Sequence, residues 1–68
     1  MEFRERLVFL RKEKKETQVQ LANAVSITSR SLQALEAGKC LPKFETLIAL
    51  ADHFGVTLDY LMCRTDER

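Results

Sequence analysis

Ser29, Arg30, Ser31 and Gln33 put four polar side chains into five residues of a stretch whose apolar positions, Leu32 and Leu35, fall three apart. On a helix that spacing buries the two leucines and leaves the polar set on the other faces. Such side chains carry the chemistry of hydrogen-bond recognition. A guanidinium such as Arg30 can bridge O6 and N7 of a guanine, contact a phosphate, or stay solvated. Gln33, one turn on, can pair with an adenine or reach a phosphate. Ser29 and Ser31 offer small donors and acceptors, and Ala34 can touch a thymine methyl or simply fill the helix. No set of residues suited to breaking bonds accompanies them. The chain has no evident nucleophile–base pair, carboxylate pair or phosphate-cradling glycine loop, so we expect no enzyme activity. With one histidine, His53, and two cysteines, Cys40 and Cys63, there is neither a zinc quartet nor a disulfide framework. We therefore expect no metal and no cofactor. His53 reads as a helix-end cation or surface residue, Cys63 as a helix-end residue, and Cys40 as a loop residue or thiol sensor.

A second set could hold a phosphate backbone: Thr17, Gln18, Thr28, Lys39 and Lys43. Thr17 and Thr28 each precede a helical stretch, where a hydroxyl caps orphan amides. Gln18 would be the first residue of its helix, at the end where anions are favoured. Lys39 and Lys43 flank a loop marked by Gly38 and Pro42. The net charge of +1 hides a sharp division. Residues 4–43 hold nine Lys or Arg against four Asp or Glu, whereas residues 44–68 hold two against five. A basic front and an acidic back suit one-sided contact with a polyanion. The run Arg11–Glu16, RKEKKE, also fits a solvated helix face, so Lys12, Lys14 and Lys15 remain open between the two readings.

Five helices must position these residues. The first is expected over about Phe3 to Lys15, with Phe3, Leu7 and Leu10 on one stripe and Val8 and Phe9 off it. The second runs from about Gln18 to Val25, buried through Leu21, Ala22 and Val25. The third spans Ser29 to Ala37, ending at Gly38, which suits a left-handed cap. The fourth covers Phe44 to Phe54, with Leu47, Ile48, Leu50 and Ala51 as apolar contacts and Gly55 as its stop. The fifth, capped by Thr57, spans Leu58 to Cys63, and 64–68 should be a frayed tail. Sixty-eight residues make one domain, with its core within about 3–62. No apolar run approaches the ~20 residues of a membrane span, and no secretory segment is evident, so a cytoplasmic location is expected.

The arrangement of Thr17-Gln18, Leu21-Ala22, Ile27-Thr28, Leu32, Leu35-Glu36, Gly38 and Pro42 resembles the DNA-binding domains of phage repressors of the lambda repressor and Cro type. The match continues through Glu45-Thr46-Leu47, Leu50-Ala51, Phe54-Gly55-Val56 and Leu58-Asp59-Tyr60-Leu61, with Leu7, Leu10 and Arg11 upstream. The resemblance implies an all-α, compact, five-helix fold whose helices 2 and 3 form a helix-turn-helix. It implies a sequence-specific regulator, most often a repressor, whose helix 3 reads the major groove through Ser29, Arg30, Ser31, Gln33 and Ala34. Gln18 would clamp the DNA backbone, and Arg11 would pair with Glu36 to fix helix 3 against helix 1. A homodimer on an inverted-repeat operator follows, with Tyr60 and Met62 as candidate dimer contacts. Ser26 departs from the family by standing at a turn position usually held by glycine. Lys15 and Glu16 replace a glycine and an apolar residue, and Lys43 stands where a small cap is common. The alternative is a protein-interaction or antitoxin-like module that binds a partner protein and regulates itself.

Overall fold

Three threonines punctuate the chain, and each starts a helix. In a computed structural model, which describes residues 1–68, the Thr17 hydroxyl accepts from the Gln20 amide, Thr28 from Ser31 and Thr57 from Tyr60. Thr17 and Gln20 complete a reciprocal capping box. The elements in order are α1 (Phe3–Glu13), α2 (Gln18–Ala24), α3 (Ser29–Glu36), α4 (Phe44–Phe54) and α5 (Leu58–Leu61). This is the all-α, five-helix architecture expected from the sequence. α4 has the expected bounds, whereas α1, α2, α3 and α5 each end one or two residues sooner.

The early endings have a local cause. Lys15, Ser26 and Cys63 take positive φ values of 58°, 60° and 64°, a left-handed backbone that terminates the helix before each of them. Such a conformation costs a residue with a Cβ roughly 1–2 kcal/mol. Gly38 and Gly55 do the same job without that cost after α3 and α4. Ser26 donates its amide to Asn23, and Ile27 donates to Ala22, closing the turn between α2 and α3.

One apolar core joins all five helices: Leu7 and Leu10 from α1, Leu21 and Ala22 from α2 with Val25 at its end, Leu32 and Leu35 from α3, Leu50 and Ala51 from α4, and Tyr60 and Leu61 from α5. Phe3, Ile27, Leu47, Phe54 and Val56 pack at its margin. Ile48, expected as an apolar contact of α4, is exposed. Phe9 is exposed and Val8 half-buried. No helix is long and apolar enough to cross a membrane.

Two expectations for the C-terminal part are corrected. Tyr60 is not an exposed contact for a second copy. It is buried, with the Arg6 guanidinium carbon 3.9 Å from its ring centroid. Residues 64–68 do not hang free. Arg6, the one buried charged residue, donates to the carbonyls of Tyr60 (2.8 Å) and Thr65 (3.3 Å) and to the Asp66 carboxylate (3.0 Å). Arg68 reaches Glu13 at 2.7 Å and the Tyr60 hydroxyl at 3.3 Å. Five donors in a planar fork let Arg6 gather several acceptors at once, which compensates a buried cation.

Candidate nucleic-acid interface

α3 owes its placement to opposite faces of one short helix. Leu32 and Leu35 sink into the core, while Arg30, Ser31 and Gln33 remain exposed and Ser29 and Ala34 half-buried. Eight residues give α3 a length of ~12 Å, close to the width of a major groove of B-DNA. Its first turn is ordered from inside. Thr28 Oγ1 accepts from the Ser31 amide at 3.0 Å and donates to Ser31 Oγ at 2.9 Å. The hydroxyls of Thr28 and Ser31 are therefore already engaged with each other. Arg30 and Gln33 make no side-chain hydrogen bond or ion pair within the chain.

An ionic and hydrogen-bonded hub holds α3 in place. Arg11 Nε donates to Glu36 Oε2 at 2.8 Å and Nη2 donates to Oε1 at 3.1 Å, a bidentate pair. Its Nη1 donates to the Glu16 carbonyl at 3.0 Å. Gln18 Nε2 donates to Glu36 Oε1 at 3.0 Å. Glu36 lies in the last turn of α3, where its charge opposes the helix dipole, and Arg11 and Gln18 supply the compensation. Both charged side chains are largely out of water, at 13% and 7% exposed. One carboxylate thereby ties α1, the start of α2 and the end of α3 into a fixed relation. The side chain of Gln18, expected from the sequence to clamp a DNA backbone, donates instead to Glu36. The partner lies 18 residues away, and nothing local marks it.

Beside α3 runs an open groove. Thr28, Arg30, Ser31 and Ala34 line one side, with Leu41 and Lys43 from the α3–α4 loop on the other. Among the residues proposed from sequence, these walls bring together Thr28, Arg30, Ser31, Ala34 and Lys43. Thr17, Gln18, Ser29, Gln33 and Lys39 lie outside it. Lys39 and Lys43 are exposed at either end of the loop. Lys43 is the residue before α4, and it provides no side-chain cap there. Leu41 and Glu45 also line the groove and were not singled out from sequence. An apolar residue in the short loop between Gly38 and Pro42 was the available signal for Leu41. Glu45 is explained by its place in the first turn of α4, where a carboxylate complements the dipole.

A second brace supports α2 from behind. His53 Nε2 lies 2.8 and 2.9 Å from the two Glu16 carboxylate oxygens, and Lys14 Nζ donates to the His53 carbonyl at 3.4 Å. The end of α4 is thus joined to the turn that leads into α2.

Two capped helices joined by a tight turn, the second offering a free polar face beside a lysine-flanked loop, define a helix-turn-helix module of the phage-repressor type. The chain belongs to the helix-turn-helix domain family, whose model matches residues 5–67. It is 38% identical over 69 residues to the cryptic phage CTXphi transcriptional repressor RstR of Vibrio cholerae, covering 98% of this chain and 62% of that protein. It is 39% identical over 62 residues to the HTH-type transcriptional activator BcrR of Enterococcus faecalis, covering 91% of this chain and 30% of that one. The chain thus spans less than two thirds of either relative. Among solved structures, the P22 c2 repressor bound to a synthetic operator superposes with a TM-score of 0.87 at 27% identity, over 91% of this chain and 94% of that one. The lambda-repressor-like fold is therefore established for this chain.

Proposed function

We propose that the protein is a transcriptional regulator that binds double-stranded DNA by laying α3 in the major groove. The observation that carries this reading is the exposed face of α3, with Arg30 and Gln33 uncommitted, on a helix held by the Arg11–Glu36–Gln18 hub. Ser29, Arg30, Ser31, Gln33 and Ala34 are the base-facing set, and Arg30 is the strongest candidate for a bidentate guanine contact. The backbone amides at the start of α2 beside Thr17, and the cations Lys39 and Lys43, with Thr28 nearby, address the phosphates, whereas the Gln18 side chain is committed to Glu36. A relative named as a repressor and a solved repressor–operator complex of the same fold support it. Another relative is named as an activator, so the relatives' names do not fix the direction of control.

The protein acts as a homodimer in this reading. One eight-residue helix reads few base pairs, whereas two copies reading half-sites about one helical turn apart, ~10 bp centre to centre, double the information. With Tyr60 buried, Met62 together with the exposed Phe44, Ile48 and Leu58 are the apolar side chains on or beside α4 and α5 for that contact. The work is done in the cytoplasm, where the DNA is, and without catalysis.

Selection from a random duplex pool at about 0.15 M salt, a physiological ionic strength, tests the reading. An enriched inverted repeat is the expected result. Retention without a motif would reduce the protein to charge-driven binding. No retention by the folded chain would overturn the DNA reading, and co-purification of a second polypeptide would then establish a partner-binding module.

A further inference from the structure

We propose that Glu16 and His53 form a proton-controlled pair that sets the affinity for DNA: the Glu16 carboxylate opposes the phosphates until a proton on His53 cancels its charge. This role rests on the proposal that the chain binds DNA. His53 Nε2 lies 2.8 and 2.9 Å from the two Glu16 carboxylate oxygens. The two side chains are 19% and 17% exposed. An ionised carboxylate only accepts, so Nε2 carries a hydrogen whether the ring is neutral or charged. The other ring nitrogen, Nδ1, has no partner within the chain, yet no buried side-chain nitrogen or oxygen is left unpaired. Nδ1 therefore meets water, and a second proton arrives there. The contact survives the change of protonation, and only its charge differs.

The other charges nearby are already committed or face water. Arg11 gives Nε and Nη2 to the Glu36 carboxylate, and its Nη1 reaches only the backbone carbonyl of Glu16. Lys14 Nζ donates to the His53 carbonyl at 3.4 Å, not to the Glu16 carboxylate. Lys15, before Glu16, and Asp52, before His53 on α4, are both exposed. The Phe54 ring, 5.1 Å from the imidazole, carries no charge. His53 is thus the one ion-pair partner of the Glu16 carboxylate. Glu16 adjoins Thr17, about 3.8 Å away along the backbone. Thr17 is exposed and caps the end of α2 assigned above to the phosphates. That separation lies well inside the Debye length of ~8 Å at physiological salt, and a partly buried charge is screened less than an exposed one. Histidine is the side chain whose charge ordinarily changes between about pH 5 and 8, and this chain has one.

The test measures binding of the full chain to the duplex enriched by the operator selection, at fixed salt, from about pH 7.5 down to about pH 5.5. Lysines and thiols keep their protons over this range, and the amino terminus is common to every variant. The native chain should bind about threefold tighter at the lower pH, the effect of one unit charge acting over ~10 Å between protein and water. His53→Gln can still donate to Glu16. It should match the native chain at the upper pH and lose the gain at the lower one. Glu16→Gln should bind about threefold tighter than the native chain at the upper pH, for the same reason. A pair that only braced the fold would give the opposite sign, since losing it would weaken binding. Circular dichroism at both pH values confirms that each variant is folded. Were His53→Gln to unfold, Glu16→Gln decides the matter. A native profile flat with pH, a His53→Gln profile as steep as the native one, or a Glu16→Gln chain that binds no tighter at the upper pH would each overturn the pair's role. Those results are obtained on a chain that binds its duplex, whereas failure of the DNA reading appears earlier, as no retention in the selection.

Discussion

At the scale of single residues, the interface divides into side chains that would specify and side chains that would hold. Arg30 is the first kind. Arg30→Ala should cost about 1–3 kcal/mol on the selected operator and flatten preference at one position of each half-site, as read by competition between matched and mutated duplexes. Lys39 and Lys43 are the second kind. Replacing either by alanine should weaken binding to all duplexes alike and reduce the slope of log K against log salt by about 0.9 for each phosphate left without its cation. A change of base preference in the lysine variants, or of salt slope alone in Arg30→Ala, would exchange these assignments. The face of α3 was legible in sequence because its cause is local: Leu32 and Leu35 fix which side is buried, and everything else follows from the helical period. The bond from Gln18 to Glu36 was not, because it depends on a carboxylate that only the packing of α3 brings near.

At the scale of elements, the helices are held in register by groups that act at their ends. Removing Glu36 would leave Arg11 short of its carboxylate in a largely dehydrated place. Glu36→Ala should lower unfolding stability by about 3 kcal/mol, the lower end expected for breaking a buried pair. DNA binding should fall further than stability accounts for, since α2 and α3 lose their common anchor. Denaturant unfolding beside binding on the folded fraction separates the two effects. Ser26 points the other way. It holds a φ of 60° in the turn between the recognition pair, and Ser26→Gly should relieve about 1 kcal/mol. For a domain of this size that corresponds to a thermal midpoint about 4–8 °C higher. Helix starts were readable where a threonine hydroxyl caps its own next turn, as at Thr17, Thr28 and Thr57. Helix ends were less so: Cys63 adopts a glycine-like backbone that its side chain does not advertise, and only the resemblance, which expects glycine at Lys15 and Ser26, hints at the same backbone there.

At the scale of the whole molecule, the last residues belong to the fold. Arg68 holds the Glu13 carboxyl below its ordinary range through a direct hydrogen bond. A carboxyl depressed in this way stabilises the folded state above its ordinary value, and that contribution is lost as pH falls through the lowered one. The midpoint of the Glu13 side-chain resonance on acid titration should therefore lie below that of an unpaired glutamate, and Arg68→Ala should return it. The gain in stability is small because both partners are solvent-exposed. Burial of Tyr60 was beyond sequence reading for the same reason as the tail: both depend on Arg6, whose partners lie more than fifty residues away.

Arg6 has one more consequence, for the order of the chain itself. Its guanidinium touches the sulfur of Met1 on one side and the carboxylate of Asp66 on the other. The first and sixty-sixth residues are therefore neighbours in space, and a short glycine-serine bridge can span them. The five helices would then form a closed ring that can be cut anew in an exposed loop, such as that around Leu41, while leaving the core intact. A chain beginning at Pro42 and ending at Leu41 should fold to the same structure, with α4 as its first helix and α3 as its last. In this domain sequence order is a matter of where the circle is opened.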